Sequence, residues 1–182
     1  MSEPLLIVDV QSGFINSFTH HIPQRIVRLI QRGEYAPLLF TRFINVSHGP
    51  YQRFLDWHSC SDEPETSIVP KLQPFAQPDL VFSKPGLCGM SDSLVEYLRS
   101  QHIERIFIVG IDTDMCVLKI AMDLFDIGIE PIVLTDCCAS TAGLQAHLAG
   151  LAVLSRNIGA QRLRDAGLSD GLLAAPVEQS GG

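Results

Sequence analysis

Short apolar runs alternate with segments of helical periodicity along the chain, and this alternation predicts an α/β fold. The apolar runs are continuous and rich in β-branched residues, which is typical of strands buried on both faces of a parallel sheet. The predicted strands are Pro4 to Val10, Ala36 to Phe43, Leu80 to Ser83, Ile106 to Ile111, Ile129 to Thr135 and a short one within Gly159 to Leu163.

Apolar residues also recur at helical spacing between most of these strands. The predicted helices are Arg25 to Gln31, a short piece around Tyr51 to Trp57, Ser91 to Leu98, a helix beginning near Val117, and Leu144 to Leu154. This order predicts a three-layer α/β/α arrangement around a mainly parallel, six-stranded, doubly wound sheet. We expect one domain over residues 1–182, because a chain of this length can bury a sufficient core by itself.

The composition narrows the partners expected for this domain. A net charge of −7 without a cluster of Lys and Arg argues against nucleic-acid binding, and no apolar run is long enough to span a bilayer. Met1 to Val10 lacks the basic start and long apolar stretch of a signal peptide. Five cysteines, an odd number without metal-knuckle spacing, are typical of reduced thiols. We therefore expect a cytoplasmic protein that acts on a small molecule, with neither nucleic-acid nor membrane partners.

Cys116 lies where a predicted central strand ends and a helix begins. The polar connection Asp112-Thr113-Asp114 precedes it and offers side-chain oxygens suited to capping the helix. The first turn of a helix places unpaired N–H groups and a positive dipole end near the thiol, which favours thiolate and can bind an oxyanion. Cys116 is therefore a candidate nucleophile. The alternative is a small buried cysteine that only fills space in the core.

Two further chemical groups are associated with other predicted strands. Asp9 lies near the carboxyl end of the first strand, and Lys84 follows the third. Taken alone, Asp9 could be a structural acid that binds loop N–H groups, and Lys84 could be a solvated side chain. In a doubly wound sheet, however, ligands bind beyond the carboxyl ends of the strands. We expect Asp9, Lys84 and Cys116 to share that edge, which indicates a catalytic site.

The segments around these three residues resemble the isochorismatase-like cysteine hydrolases, a superfamily that includes nicotinamidases and N-carbamoyl amidohydrolases. The matching segments are Leu-Leu-Ile-Val-Asp-Val-Gln around Asp9, Ser-Lys-Pro-Gly around Lys84, Gly-Ile-Asp-Thr-Asp-Met-Cys-Val around Cys116 and, more weakly, Asp136-Cys137-Cys138-Ala139-Ser140 with His147 downstream. They occur in the family's order over most of the chain, roughly from Leu5 to Ala160.

The resemblance implies a role for each residue. Cys116 would be the nucleophile, Asp9 the base that takes its proton and returns it to the leaving group, and Lys84 the cation that balances their charge. It also implies a cis peptide bond between Ile111 and Asp112, and an oxyanion hole formed by the backbone N–H groups of Asp112 and Cys116. Members of this superfamily tend to form dimers or tetramers, so the resemblance implies a homo-oligomer.

The sequence departs from the nicotinamidases where those enzymes bind a metal ion. They carry an Asp-x-His motif directly after the second strand, whereas this chain has Thr41-Arg42-Phe43-Ile44-Asn45. Asp56-Trp57-His58 spells the motif later in the chain, but one carboxylate and one imidazole make a poor metal site. We therefore expect no metal ion and no other cofactor.

Four residues are expected to contact the substrate: Gln11, Phe14, Phe43 and Trp57. The three aromatic side chains among them predict a pocket with aromatic walls. After Lys84 the family often has a small hydroxyl residue and an aromatic residue, whereas this chain has Cys88-Gly89-Met90. Cys88 is expected to be a packing residue rather than part of the site.

Together these observations predict a metal-independent cysteine hydrolase that cleaves a C–N bond of a small amide, imide or ureido compound. One alternative is hydrolysis of isochorismate, a vinyl ether, which some members perform without a nucleophilic cysteine. The others are a non-catalytic scaffold that binds a ligand or forms oligomers, and a redox-responsive protein that uses Cys116 with Cys88. The long segment from Ile44 to Pro78 is expected to determine the substrate.

Overall fold

Six strands form one parallel sheet in the computed structural model, which describes residues 2–168. They are β1 (Glu3–Val8), β2 (Tyr35–Phe43), β3 (Val81–Lys84), β4 (Arg105–Ile111), β5 (Glu130–Ala139) and β6 (Leu163–Arg164). Their order across the sheet is β3-β2-β1-β4-β5-β6, and every neighbouring pair is parallel. The predicted α/β fold is confirmed. Residue 1 and residues 169–182 of the predicted domain lie outside the described residues.

The α-helices of the described chain accompany this sheet. They are α1 (Ile22–Gln31), α2 (Pro50–Leu55), α3 (Asp92–Ser100), α4 (Leu118–Asp126) and α5 (Leu144–Ile158). Leu5 and Ile7 pack in the apolar cluster that contains α1, whereas Leu6 and Val8 pack in the cluster that contains α3, α4 and α5. Successive side chains of a strand point to opposite faces, so burial on both faces explains the continuous apolar run of β1.

Among residues 2–168, no helix combines the length and the apolar character needed to cross a bilayer.

Several element boundaries differ from those predicted. Helix α1 begins at Ile22 rather than Arg25, because Pro23 is well suited to the first turn of a helix. Strand β5 continues to Ala139 with a register shift against β4, which a pattern of apolar residues does not reveal. The final strand is reduced to the two residues of β6, and a helical turn at Ala160–Arg162 precedes it.

A π-helical turn at Thr113–Val117 joins β4 to α4 and carries Cys116. The sequence predicted that the polar residues before Cys116 cap a helix here, but the Asp112 side chain makes no capping hydrogen bond. Its carboxylate instead accepts hydrogen bonds from the backbone N–H and the hydroxyl of Thr141, at 2.6 and 2.8 Å. The connection after β4 is thus tied to the connection after β5.

Helix α5 packs directly on this turn through Gly150. A Cβ atom added at residue 150 would lie 2.8 Å from the backbone N and Cα atoms of Asp114, closer than van der Waals contact allows. Thr113 adds a side-chain contact, since its Oγ1 lies 2.8 Å from Nδ1 of His147. Two contacts from α5 therefore hold the turn that carries Cys116.

We expect Gly150→Ala to destabilise the protein, although alanine normally favours a helix by about 1 kcal/mol over glycine. The added methyl group overlaps the Asp114 backbone, and overpacking of this kind costs about 1–3 kcal/mol. Urea denaturation would measure the change in the free energy of unfolding. Asn157→Ala, at an exposed position of the same helix, is the control and should change that free energy little. Equal stability of Gly150→Ala and the parent protein would contradict the close packing.

Candidate active site

The centre of the sheet places Asp9 and Cys116 side by side. Strands β1 and β4 are neighbours there, at the point where the strand order reverses. Asp9 directly follows β1, and the turn that carries Cys116 follows β4. Lys84 is the last residue of β3 at the sheet edge, two strands away from β1, and its long side chain reaches back to the centre. The structure thus brings together the three residues that sequence analysis singled out.

The Lys84 ammonium contacts both of the other groups. Its Nζ lies 2.7 Å from Oδ2 of Asp9 and 3.3 Å from Sγ of Cys116, and it also donates to the carbonyl of Gly86 at 2.8 Å. The exposed fractions of Asp9, Lys84 and Cys116 are 0%, 2% and 7%. A buried charge is costly unless it is paired, so the ion pair allows Asp9 and Lys84 to lie here.

Thr41, on the neighbouring strand β2, orients the Asp9 carboxylate. Its hydroxyl donates to Oδ1 of Asp9 at 2.7 Å, and the backbone N–H of Asp9 donates to the same hydroxyl oxygen at 3.2 Å. Asp9 itself adopts a φ of 49°, in the left-handed region that few residues other than glycine occupy. One carboxylate oxygen therefore faces a hydroxyl group and the other faces the ammonium.

The charges of the site determine its resting protonation. Burial raises the pKa of the Cys116 thiol, the Asp9 carboxylate raises it further, and Lys84 opposes the rise only in part. For Lys84, burial favours the neutral amine, but Asp9 and Cys116 prevail and raise its pKa above that of a free lysine. The resting site thus holds a neutral thiol beside a charged ion pair. Burial and the Asp9 carboxylate thus oppose the thiolate that the helix end was expected to favour.

A cavity of about 550 Å³ reaches Cys116, and aromatic side chains form one of its walls. The four rings belong to Phe14, Phe43, Tyr51 and Trp57. They contact one another, with centroid distances from 5.1 Å for Phe43 and Tyr51 to 6.4 Å for the stacked Phe14 and Trp57. Phe14, Phe43 and Trp57 therefore lie where substrate contact was expected. Sequence analysis missed Tyr51, although an aromatic residue in the short helix of the long loop was a usable signal.

The rest of the cavity lining carries almost no charge. The other described residues that line it are Gly13, Asn16, Leu55, Ser59, Leu87, Ile111, Asp112, Met115, Cys116 and Thr141. Asp112 is the one acidic residue among them and its carboxylate binds Thr141, while none of the described lining residues is Lys, Arg or His. Such a lining suits a small uncharged molecule better than an anion.

The residues of the candidate oxyanion hole lie on the turn after β4. Asp112 and Cys116 both line the cavity, and the peptide bond between Ile111 and Asp112 is cis. Thr141, which holds the Asp112 carboxylate, is itself bound through its carbonyl to the side-chain amide of Asn16 at 2.9 Å. Sequence analysis identified neither Thr141 nor Asn16, because both lie in irregular connections. The only sequence signal for Thr141 was that it directly follows Asp136-Cys137-Cys138-Ala139-Ser140, the segment that matches the family weakly.

Gln11 does not line the cavity, contrary to the expectation that it contacts the substrate. It is fully buried, and its side-chain nitrogen donates to the carbonyls of Phe43 and Thr66 at 2.8 and 3.0 Å. Its side-chain oxygen accepts from the backbone N–H of Phe43 at 2.7 Å. Gln11 therefore joins the segment after β1 to the end of β2 and to the long loop. A motif match locates such a residue in the chain but does not say which way its side chain faces.

Asp56 and His58 form an exposed pair rather than a metal site. Nε2 of His58 lies 3.0 Å from Oδ1 of Asp56, and the two side chains are 64% and 97% exposed, respectively. Across residues 2–168, no group of three or more His, Cys, Asp or Glu side chains is placed to hold a metal ion. The described residues therefore do not fit the metal ion of nicotinamidases.

Cys88 was expected to be a packing residue, but it is exposed, and it does not line the cavity. Its Sγ lies 3.6 Å from Oδ2 of Asp123 in α4. The sulfur of Cys116 is instead in contact with Lys84. This arrangement gives no support to a redox pair of Cys88 and Cys116.

A family model, the isochorismatase domain, matches residues 3–163 of this chain. The chain belongs to the isochorismatase family of hydrolases. This membership confirms the resemblance that the segments around Asp9, Lys84 and Cys116 indicated.

Solved structures of other isochorismatase-type proteins share the fold over nearly the whole chain. An isochorismatase-like hydrolase from Alkaliphilus metalliredigens has a TM-score of 0.78 at 19% identity, covering 91% of this chain and 96% of that one. A nicotinamidase from Bacillus subtilis has a TM-score of 0.76 at 22% identity, covering 91% and 100%. N-carbamoylsarcosine amidase from Thermoplasma acidophilum has a TM-score of 0.76 at 20% identity, covering 94% and 100%. At these identities the likeness establishes the fold.

We expect the protein to lose stability at alkaline pH because of its buried thiols. Burial raises the pKa of Cys60 and Cys137 to about 12, and it also raises the pKa of Cys116 and Cys138, whereas the thiols of the unfolded chain have a pKa near 9.0. A raised folded pKa stabilises the fold fully below the unfolded value, and this stabilisation is lost as the pH rises toward the folded pKa. The free energy of unfolding should therefore fall above about pH 9, by at most about 1.4 kcal/mol per pH unit for each thiol.

Urea denaturation between about pH 8 and about pH 10.5 would measure this slope. Cys138→Ala removes one of these four thiols, so the free energy of unfolding should fall less steeply with pH than in the parent, by the contribution of one thiol. Identical slopes for the two proteins would show that the residue 138 thiol does not contribute in this way.

Proposed function

We propose that this isochorismatase-family chain is a cysteine hydrolase that cleaves a C–N bond of a small amide, imide or ureido compound without a metal ion. One observation carries the proposal: Nζ of Lys84 lies 2.7 Å from the Asp9 carboxylate and 3.3 Å from the Cys116 sulfur. A nucleophile, a base and a cation within bonding distance at the end of a cavity are the set that acyl transfer requires.

The resting protonation is consistent with Asp9 as the general base. The Cys116 thiol is neutral, and Lys84 contacts both its sulfur and the Asp9 carboxylate. In the proposed reaction the thiol proton passes to Asp9 as the sulfur attacks the substrate carbonyl. Lys84 keeps its charge throughout and stabilises the thiolate that forms. Protonated Asp9 then donates to the leaving nitrogen, the C–N bond breaks, and an acyl group remains on the sulfur as a thioester.

Water completes the reaction at the same site. Asp9, now a carboxylate again, takes a proton from a water molecule, whose oxygen attacks the thioester carbonyl. The carbon–sulfur bond breaks and the proton returns to the sulfur, which restores the neutral thiol. In both halves the backbone N–H groups of Asp112 and Cys116 are the proposed donors to the negative carbonyl oxygen, and Thr141 holds the Asp112 side chain away from it.

The cavity walls favour an uncharged substrate with a flat or apolar body. The rings of Phe14, Phe43 and Trp57 offer aromatic surface, and among the described lining residues no Lys, Arg or His is available to bind a carboxylate. This lining counts against the alternative of isochorismate hydrolysis, because isochorismate carries two carboxylates. A neutral amide of modest size is therefore the substrate class that the walls support best.

Hydrolysis of a panel of small amides and ureido compounds tests the proposal directly. We expect the parent protein to release ammonia from at least one neutral amide, and Cys116→Ala to lower the rate by at least about 1,000-fold. Asp9→Asn should lower it by about 100- to 10,000-fold, the usual contribution of a general base. Cys88→Ala is the matched control, because its exposed thiol lies outside the cavity lining and its loss should leave the rate unchanged.

Equal rates for the parent protein and Cys116→Ala would end the hydrolase proposal. Iodoacetamide labelling then separates it from a non-catalytic scaffold. If Asp9 takes the proton as the sulfur attacks, Cys116 should react faster than the other buried thiols, and Asp9→Asn, which lacks this base, should remove the advantage. Uniform labelling of all five cysteines would instead support the scaffold.

We also propose that the chain forms a homo-oligomer through the start of α5. Leu144 and Leu148 lie one helical turn apart and are 68% and 54% exposed. Phe18, 53% exposed, approaches the same end of the helix, since its ring would lie 3.4 Å from a Cβ atom at Gly143. Neighbouring exposed apolar side chains of this kind commonly mark a protein contact, and two copies can bury them against each other.

Sedimentation analysis of Leu148→Asp tests this contact. We expect the parent protein to be a dimer or tetramer and Leu148→Asp to dissociate, because a carboxylate would be buried at the interface. Gln145→Asp places the same charge at an exposed position of the same helix end and should leave the assembly intact. A monomeric parent protein would contradict the proposal.

A further inference from the structure

Asn45 lies two residues beyond the end of β2 and is 2% exposed, yet it does not line the cavity. Its side-chain nitrogen donates to the carbonyls of Trp57 and Ser59 at 2.8 and 3.0 Å. Its backbone N–H donates to the carbonyl of Cys60 at 2.8 Å. One residue next to the sheet thus binds three carbonyl groups from a segment of the long loop.

The two side-chain bonds define the orientation of the Asn45 amide. Both acceptors are carbonyl oxygens, so the NH₂ group must face them, and the reversed amide would place three oxygens together. An Asp side chain has the same shape but no donor, and it would direct a carboxylate at both carbonyls. The position therefore requires a side chain with two donors and little length.

The segment that Asn45 binds forms part of the substrate wall. Trp57 and Ser59 line the cavity, and the Trp57 ring lies 6.4, 5.8 and 5.7 Å from the ring centroids of Phe14, Phe43 and Tyr51. The Trp57 backbone has one further bond, from its N–H to the Tyr51 carbonyl at 3.1 Å. The indole ring itself is only half-buried, so its place depends on how its backbone is held.

We infer that Asn45 is a positioning residue for substrate specificity: by holding the carbonyls of Trp57 and Ser59, it sets the aromatic wall of the catalytic cavity. This inference rests on the proposed function, since the wall matters only if the cavity binds a substrate. It concerns affinity for the body of the substrate rather than the reaction at Cys116. The Asp9–Lys84–Cys116 contacts involve no atom of Asn45.

The fluorescence of Trp57 gives a readout that does not depend on activity. Trp57 is the only tryptophan of the chain, so the emission reports this wall alone. We expect Asn45→Asp to shift the emission to longer wavelength and to increase quenching by acrylamide, because the released indole meets more water. Asn157→Asp introduces the same change at an exposed position of α5 and should leave the emission unchanged.

Alkylation of Cys116 separates the wall from the reacting groups. Iodoacetamide has no ring to contact the aromatic wall. Its rate of reaction with Cys116 should therefore be the same in the parent protein and in Asn45→Asp. N-phenyl iodoacetamide carries a flat ring that can rest on the wall, and its half-saturating concentration should rise about tenfold in Asn45→Asp at an unchanged limiting rate.

Each outcome decides a separate question. A red-shifted emission together with weaker binding of the phenyl reagent supports the inference, and unchanged values of both overturn it. If Asn45→Asp does not fold, as circular dichroism would reveal, Asn45→Ala removes the donors without adding charge and is judged by the same two measurements. If Cys116 of the parent protein does not react with either reagent, the proposed function fails, and the emission of Trp57 alone still decides whether Asn45 holds the wall.

Discussion

The contact between Asp9 and Lys84 links the middle of the sheet to its edge. Neither a carboxylate nor an ammonium is stable without solvent, and at 2.7 Å each makes the burial of the other tolerable. The same proximity raises the pKa of Lys84 and, through the carboxylate, contributes to the raised pKa of Cys116. The resting site therefore holds a neutral thiol next to an ion pair, and the proposed reaction starts from this state.

Much of the fold and the composition of the triad could be predicted from sequence, because they follow from rules that act over the whole chain. Strands alternating with helices imply parallel pairing, and parallel strands bring their carboxyl ends to one edge. A charged residue at the end of an otherwise apolar strand, such as Asp9, indicates a site because that end lies at the edge of the sheet where ligands bind. Phe14, Phe43 and Trp57 could be assigned to a wall because large aromatic residues in loops near such an edge have few other places to be buried.

The remaining parts depend on the direction of single side chains, which no periodicity records. Gln11 stands in a matching motif, yet its amide turns inward and binds the backbone of Phe43 and Thr66. Asp112 looked like a helix cap, but Thr141 provides a better pair of donors from a distant part of the chain. Hydrogen bonds such as these depend on which loops come into contact at the edge of the sheet, and the sequence pattern does not give those contacts. They are also where the details of the substrate site are determined.

Strand β3 has only four residues and pairs with a single neighbour, β2, so it is an edge strand with few contacts to hold it in the sheet. Lys84 is its last residue. If β3 separated from β2, the Lys84 ammonium would leave with it and the Asp9 carboxylate would remain buried without a counter-charge, which is costly. The ion pair therefore helps to hold the short edge strand β3 in the sheet. The cation to which we assign a role in the proposed reaction also holds β3 in the sheet, so its loss would weaken the fold at this edge as well as any activity.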